Sequence, residues 1–320
     1  MPVNSNKPDR WKLDITKSVD FYNDWFMRFA PKAYRDTRTE ATLHVKAALG
    51  LTDNLTNITP SVLQENPSML SMLRMATAPP IARDRLTGLA GLSQGLVHSM
   101  EANKRVPSGM APEILESELQ KIGQVIMTLV DGDLFPWLET GSKPTEGEVF
   151  RASTIVADRL CGTLTDPIIR NAQEKRQLDL IKRWLEQRSY SYIAAGSGLM
   201  FDRMEPGQFS FHVDVPVKVG DGKKQVKLPV DVAIMLRHSQ SGDLPLLIEA
   251  KSAGDFTNPN KRRKEEATKV TQLRAAFGNS VRYILFLCGY FDSGYLGYEA
   301  AEGIDWVWEH RIDDLAEFGL

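Results

Sequence analysis

This 320-residue sequence predicts an α/β (α+β) protein: a mixed β-sheet core flanked by helices, with a mainly helical N-terminal region. Three observations predict it. From Pro8 to about Thr140 the apolar residues follow helical spacing and no strand pattern stands out. After Phe209 strict alternation takes over. From Gln173 onward the elements read helix, strand, strand, strand, helix, strand.

In order, Phe21, Tyr22, Trp25, Phe26 and Phe29 form an aromatic stripe at helical spacing, suited to core packing or to a subunit interface. After Pro112, Ile114, Leu115, Leu119, Ile122, Val125, Ile126 and Leu129 recur three and four residues apart, and Asp131-Gly132 provides a stop. Gly141 to Gly147 is the best candidate linker, which gives a helical region over 1–145 and a sheet-bearing core over 146–320. Gln173 to Arg188 reads as a helix with Leu178, Ile181 and Leu185 on one face, followed by a turn at Gly196 to Gly198.

Phe209 to Val219 and Val226 to Leu236 then alternate apolar and polar residues around Gly220-Asp221-Gly222, which predicts a hairpin whose strands each bury one face. Beyond a turn at Ser239 to Asp243, Leu244 to Lys251 is a short apolar strand ending in Glu-Ala-Lys. Val281 to Gly289 is the fourth strand.

Composition narrows the function classes. With 39 basic and 41 acidic residues the chain offers no overall attraction to a polyanion, so any nucleic-acid surface must be local. Cys161 and Cys288 lack metal-ligand spacing and read as buried free thiols. No apolar run reaches membrane-spanning length, and the polar stretch Met1 to Trp11 gives a cytoplasmic expectation. The five histidines make no ligand motif, and the absence of a phosphate-binding Gly loop argues against a nucleotide cofactor.

Chemistry concentrates in the third strand. Glu249 and Lys251 are two residues apart, so they share one face while Ile248 and Ala250 face the other. Glu-x-Lys is common on solvated strands, but here it follows Pro245-Leu246-Leu247-Ile248, where burying an unpartnered acid and amine is costly. Asp231, on the preceding strand 18 residues earlier, can converge on them; Asp214 is its rival. Two carboxylates suit Mg²⁺, and an adjacent lysine can orient or help deprotonate a water and add positive charge beside a phosphate. A structural salt bridge is the competing reading. Glu186, Asp255 and Glu265 or Glu266 are further candidate acids. Asn258 and Pro259 suit a helix start, and Lys261, Arg262, Arg263 and Lys264 there suit DNA phosphates, or else a solvated face balanced by Glu265 and Glu266.

Asp231 with Glu249-Ala250-Lys251, in this element order, resembles the PD-(D/E)XK nuclease core of type II restriction endonucleases, although Pro229 stands two residues before Asp231 rather than beside it. Lys251 to Asn258, Lys261 to Glu266 and Pro79 to Arg85 are more specifically similar to the XamI-like family. The resemblance implies a restriction-endonuclease-like fold, Asp231 and Glu249 as Mg²⁺ ligands and Lys251 assisting the attacking water. It also implies site-specific hydrolysis of double-stranded DNA, commonly by a homodimer. Two alternatives stay open: an inactive DNA-binding or interaction module on the same fold, and a structure-selective repair nuclease.

Overall fold

The computed structural model describes residues 2–194, 201–219, 224–240 and 243–320, without the side chains of 218, 219, 224 and 260–262. The expected turns at Gly196 to Gly198 and Gly220 to Gly222 lie outside the described residues, as do 241 and 242 of the turn at Ser239 to Asp243. The chain forms two compact units, residues 30–169 and residues 1–29 with 170–320.

The first unit is helical. It takes in part of α1 (Pro8–Leu51), then α2 (Pro60–Glu65), α3 (Leu70–Met75), α4 (Arg83–Ala90), α5 (Leu96–Ala102), α6 (Pro112–Leu129), α7 (Trp137–Thr140) and part of α8 (Glu146–Glu186). Leu115, Leu119, Ile122 and Ile126 of α6 join Leu63, Leu73 and Met100 in its core, as their spacing predicts. Gly141 to Gly147 does not divide the units, because it leads directly into α8. There Thr145 and Glu148 form a reciprocal capping box: Thr145 N donates to Glu148 Oε2 (2.8 Å) and Glu148 N to Thr145 Oγ1 (3.3 Å).

The second unit is built on a six-stranded sheet in sequence order: β1 (Ser191–Tyr192), β2 (Gln208–Val219), β3 (Lys224–Ile234), β4 (Leu246–Ala253), β5 (Tyr283–Gly289) and β6 (Asp305–Trp308). β2, β3 and β4 are antiparallel neighbours, while β1 joins β2, β5 joins β4 and β6 joins β5 in parallel. The intervening α9 (Thr257–Phe277) and α10 (Ser293–Ala301) make the parallel crossovers possible. One sheet face packs Leu247, Leu285 and Trp306 with Val270 and Leu273 of α9; the other packs Ile248, Phe286 and Val307 with Leu178, Ile181 and Leu185 of α8. The expected helix, hairpin and two following strands are all present; β1, α10 and β6 are additions.

The hairpin does not keep one buried face. Phe209 and Phe211 pack toward α8, whereas Val213, Val215 and Val217 belong to the α9 side. On β3, Val226, Leu228 and Val230 lie on the α9 side and Val232 and Ile234 on the α8 side. His212, at φ +52°, sits at the swap: a left-handed residue breaks the pleat, so the same alternation serves opposite faces. The aromatic stripe is also only partly core. Tyr22 is buried and donates no surface, but Phe21 and Phe26 are exposed. Both cysteines are free and buried. Among the described residues no helix is long and apolar enough to cross a membrane.

Gly289 ends β5 at φ +98°, and a Cβ there would lie 2.1 Å from the Ala253 carbonyl oxygen. Gly289→Ala is therefore expected to destabilise this unit by roughly 2–4 kcal/mol in urea unfolding, combining backbone strain and a steric clash.

Candidate active site

β3 and β4 pair at Ile234↔Leu246, Ala233↔Leu247 and Val232↔Ile248, and their register ends there. At the next position Asp231 Oδ2 accepts the Ala250 N–H at 2.8 Å, so a carboxylate takes the place of a backbone acceptor as the strands part. Gln177 of α8, 1% exposed, donates to the carbonyls of Lys251 (3.3 Å) and Phe286 (3.2 Å) and anchors β4 from the other face.

Glu249 and Lys251 point to the α9 side, as their spacing predicts. Glu249 is buried, with Oε1 3.1 Å from Lys251 Nζ and Oε2 2.8 Å from Lys269 Nζ. Lys251 Nζ also lies 3.0 Å from Glu266 Oε1, and Lys269 Nζ donates to the Pro229 carbonyl at 2.9 Å. The two lysines thus bridge β3, β4 and α9. Buried ammonium and carboxylate groups are tolerable here because each has a partner.

These surroundings set the protonation states. Burial, and then the charge of Glu249, push the Asp231 carboxyl up to about 6, although the Ala250 N–H pulls it down. Burial alone would lower Lys251, but Glu249 and Glu266 overcome it and raise the pKa above its usual value. In the metal-free protein Lys251 is therefore a charged donor held between two carboxylates, an arrangement suited to orienting a water and placing positive charge.

Asp231 has further neighbours. Ligand atoms of Glu174 on α8, His212 on β2 and Asp231 all lie within 4.8 Å of one another, and His212 Nε2 is 3.8 Å from Glu174 Oε1. Carboxylate oxygens and an imidazole nitrogen are plausible donors for a divalent cation. Glu249 is not in this group; it reaches Asp231 through its charge.

Of the other expected acids, Glu186 is exposed and stands 3.9 Å from Lys182, twelve residues along α8 from the carboxylate that does approach. Asp255 holds the start of α9, accepting from Thr257 N (2.7 Å) and Asn258 N (3.0 Å), so the helix begins at Thr257 rather than at an Asn258 cap. Glu265 is exposed and Glu266 is the buried one. Asp214 pairs with Lys227 at 3.6 Å, away from the centre. Arg263 lies over the Tyr298 ring (4.9 Å) and Lys264 is exposed; the side chains of Lys261 and Arg262 are outside the described residues.

The residues missed were Glu174, His212 and Lys269. Two carried a signal: Glu174 stands four residues before Leu178 on the apolar stripe of α8, and Lys269 lies on the turn between buried Glu266 and Leu273. His212 carried none, because its placement depends on the left-handed break.

A mixed sheet whose third and fourth strands part around a cluster of acids and lysines, between flanking helices, defines a restriction-endonuclease-like α+β protein. The chain belongs to the XamI restriction endonuclease family, whose sequence model matches residues 53–308. It is 52% identical over 319 residues to the type II restriction enzyme SalI of Streptomyces albus G, covering 99% of each chain. It is 24% identical over 202 residues to the type II restriction enzyme XamI of Xanthomonas campestris pv. amaranthicola, covering 61% of this chain and 62% of that one. Likeness to the crystal structure of protein VC1899 from Vibrio cholerae is remote, with a TM-score of 0.29 and 12% identity over 80% of this chain and 55% of that one.

The raised Asp231 pKa has a consequence for the metal-free protein. The folded state holds this proton more tightly than the unfolded one, so stability falls as pH rises from the ordinary 3.8 through about 6 and stays lower above. Asp231→Asn should then stabilise the metal-free protein by roughly 2 kcal/mol at neutral pH, the gain shrinking toward pH ~4 in thermal unfolding.

Proposed function

We propose that the chain is a type II restriction endonuclease that hydrolyses phosphodiester bonds of double-stranded DNA at a specific site, with Mg²⁺ as cofactor and a PD-(D/E)XK centre formed by Asp231, Glu249 and Lys251. The observation that carries this reading is that Asp231, accepting the Ala250 N–H, and Glu249, paired with Lys251 Nζ, stand on adjacent strands where β3 and β4 part, near enough for the charge of Glu249 to act on Asp231. Family membership and 52% identity to a type II restriction enzyme support it.

The donor set fits a divalent cation. Asp231 and Glu249 offer hard oxygens, and after burial the charge of Glu249 adds to the rise at Asp231, a repulsion that a cation relieves. Glu174 and His212 stand next to Asp231 as further ligands. When bound, the metal supplies charge neutralisation at the scissile phosphate and lowers the pKa of a coordinated water.

The protein groups do the rest. Asp231 is oriented by the Ala250 N–H, Glu249 by both lysines. Lys251, charged and held from two sides, places positive charge and a donor beside the reacting phosphate and its attacking water. Arg263 and Lys264, with Lys261 and Arg262, are proposed to meet DNA phosphates at the start of α9. The helical region over 1–145 is proposed for recognition or dimerisation, and a cytoplasmic homodimer would offer one centre to each strand.

Purified protein with Mg²⁺ should cut a long DNA into discrete fragments, and Asp231→Ala or Lys251→Ala should lower the rate at least ~100-fold while leaving DNA binding in Ca²⁺ intact. Intact DNA with wild-type protein would favour an inactive module, and a smear would favour a nuclease without site specificity.

A further inference from the structure

Behind Lys251 lies a second acid that the reaction described above does not use. Glu299 on α10 is 0% exposed, and neither of its oxygens makes a hydrogen bond of regular geometry among the described residues. Glu266, 3% exposed, gives Oε1 to Lys251, while its Oε2 is equally buried and equally without a partner. The two helices that carry these acids are packed together on either side of them: Arg263 lies over the Tyr298 ring, and Arg274 Nη1 donates to the Glu302 carbonyl at 2.8 Å.

Glu266 is the charged group that acts most strongly on Glu299, which makes the two acids neighbours, and two buried neighbouring carboxylates are not both charged when only one has a cation. A proton shared between them satisfies an oxygen on each side. We propose that Glu299 is a positioning residue: it keeps its proton at neutral pH, donates it to Glu266, and so holds one fixed carboxylate against Lys251 Nζ. The inference rests on the assignment of Lys251 to the nuclease centre.

The groups facing Glu299 agree with this. Burial, and then the charge of Glu266, push its carboxyl up to about 8; the Tyr295 hydroxyl and Lys251 pull the other way, and Glu302 adds to the rise. Tyr283 of β5 lies among the same acids, and its hydroxyl is another buried atom without a partner among the described residues. Lys251 already serves Glu249 and Glu266, so it has little charge left to offer Glu299.

The test is the pH profile of DNA cleavage with saturating Mg²⁺. Wild-type kcat should fall about threefold or more between pH ~7.5 and ~9 as Glu299 ionises. Glu299→Gln, which keeps a donor and cannot ionise, should cleave within about threefold of wild type at pH ~7.5 and lose that alkaline fall. Glu266→Gln should lower kcat about tenfold with KM little changed. An identical alkaline fall in Glu299→Gln, or wild-type kcat in Glu266→Gln, overturns the proposal. Lys251→Ala separates the two levels: if it cleaves like wild type, the assignment of the centre itself is wrong, whereas an inactive Lys251→Ala beside an unaltered Glu299→Gln profile sinks only the acid pair. Should Glu299→Gln not fold, infrared titration of the wild-type protein decides. A buried protonated carboxyl band must be present at neutral pH and vanish as pH rises through about 8, and its absence at neutral pH refutes the pair.

Discussion

The bond from the Ala250 amide to the Asp231 carboxylate is where the sheet stops being only a scaffold. A regular antiparallel ladder would continue past Val232 and Ile248 and close the space between β3 and β4. A side-chain acceptor lets the strands diverge without leaving a buried N–H unsatisfied. The divergence then leaves Lys269 able to reach both the Pro229 carbonyl and Glu249, and it leaves Glu174 and His212 beside the Asp231 carboxyl. Remove that one acceptor and the reason for the surrounding arrangement is lost.

Charge balance follows from the same geometry. Asp231, Glu249 and Glu266 share a largely buried region with Lys251 and Lys269, so the acids outnumber the amines. The imbalance adds to burial at Asp231, the acid with no lysine of its own, and its proton affinity rises accordingly. A site that holds excess negative charge in the metal-free protein gives up stability there, a common feature of functional clusters.

Much of this was legible in sequence because pattern and chemistry agreed. Period-two alternation located the hairpin, the apolar run before Glu249 implied that the acid was buried, and a two-residue spacing placed Glu249 and Lys251 on one face. What pattern could not reveal was the change of face at His212, since alternation looks the same on either side of a left-handed residue. Nor could it rank carboxylates along α8: Glu186 stood nearer the strands in sequence, but Glu174 falls on the turn that passes Asp231. Nor could spacing reveal that Lys251 is charged between two carboxylates, since the second, Glu266, comes from a helix fifteen residues further along. Long-range partners decide protonation more than local spacing does.

The change of face also bears on how such a ribbon tolerates variation in length. Inward of His212 the ribbon packs toward α8, and outward it packs toward α9, while its pairing continues across that point without a shift. Adding or removing matched pairs of residues beyond Val213 and Val230 would lengthen or shorten the outer arm while leaving Asp231 where it is. A single unmatched residue would turn its valines outward. The outer arm is thus a module whose reach can drift during divergence while the acid-lysine cluster stays in place.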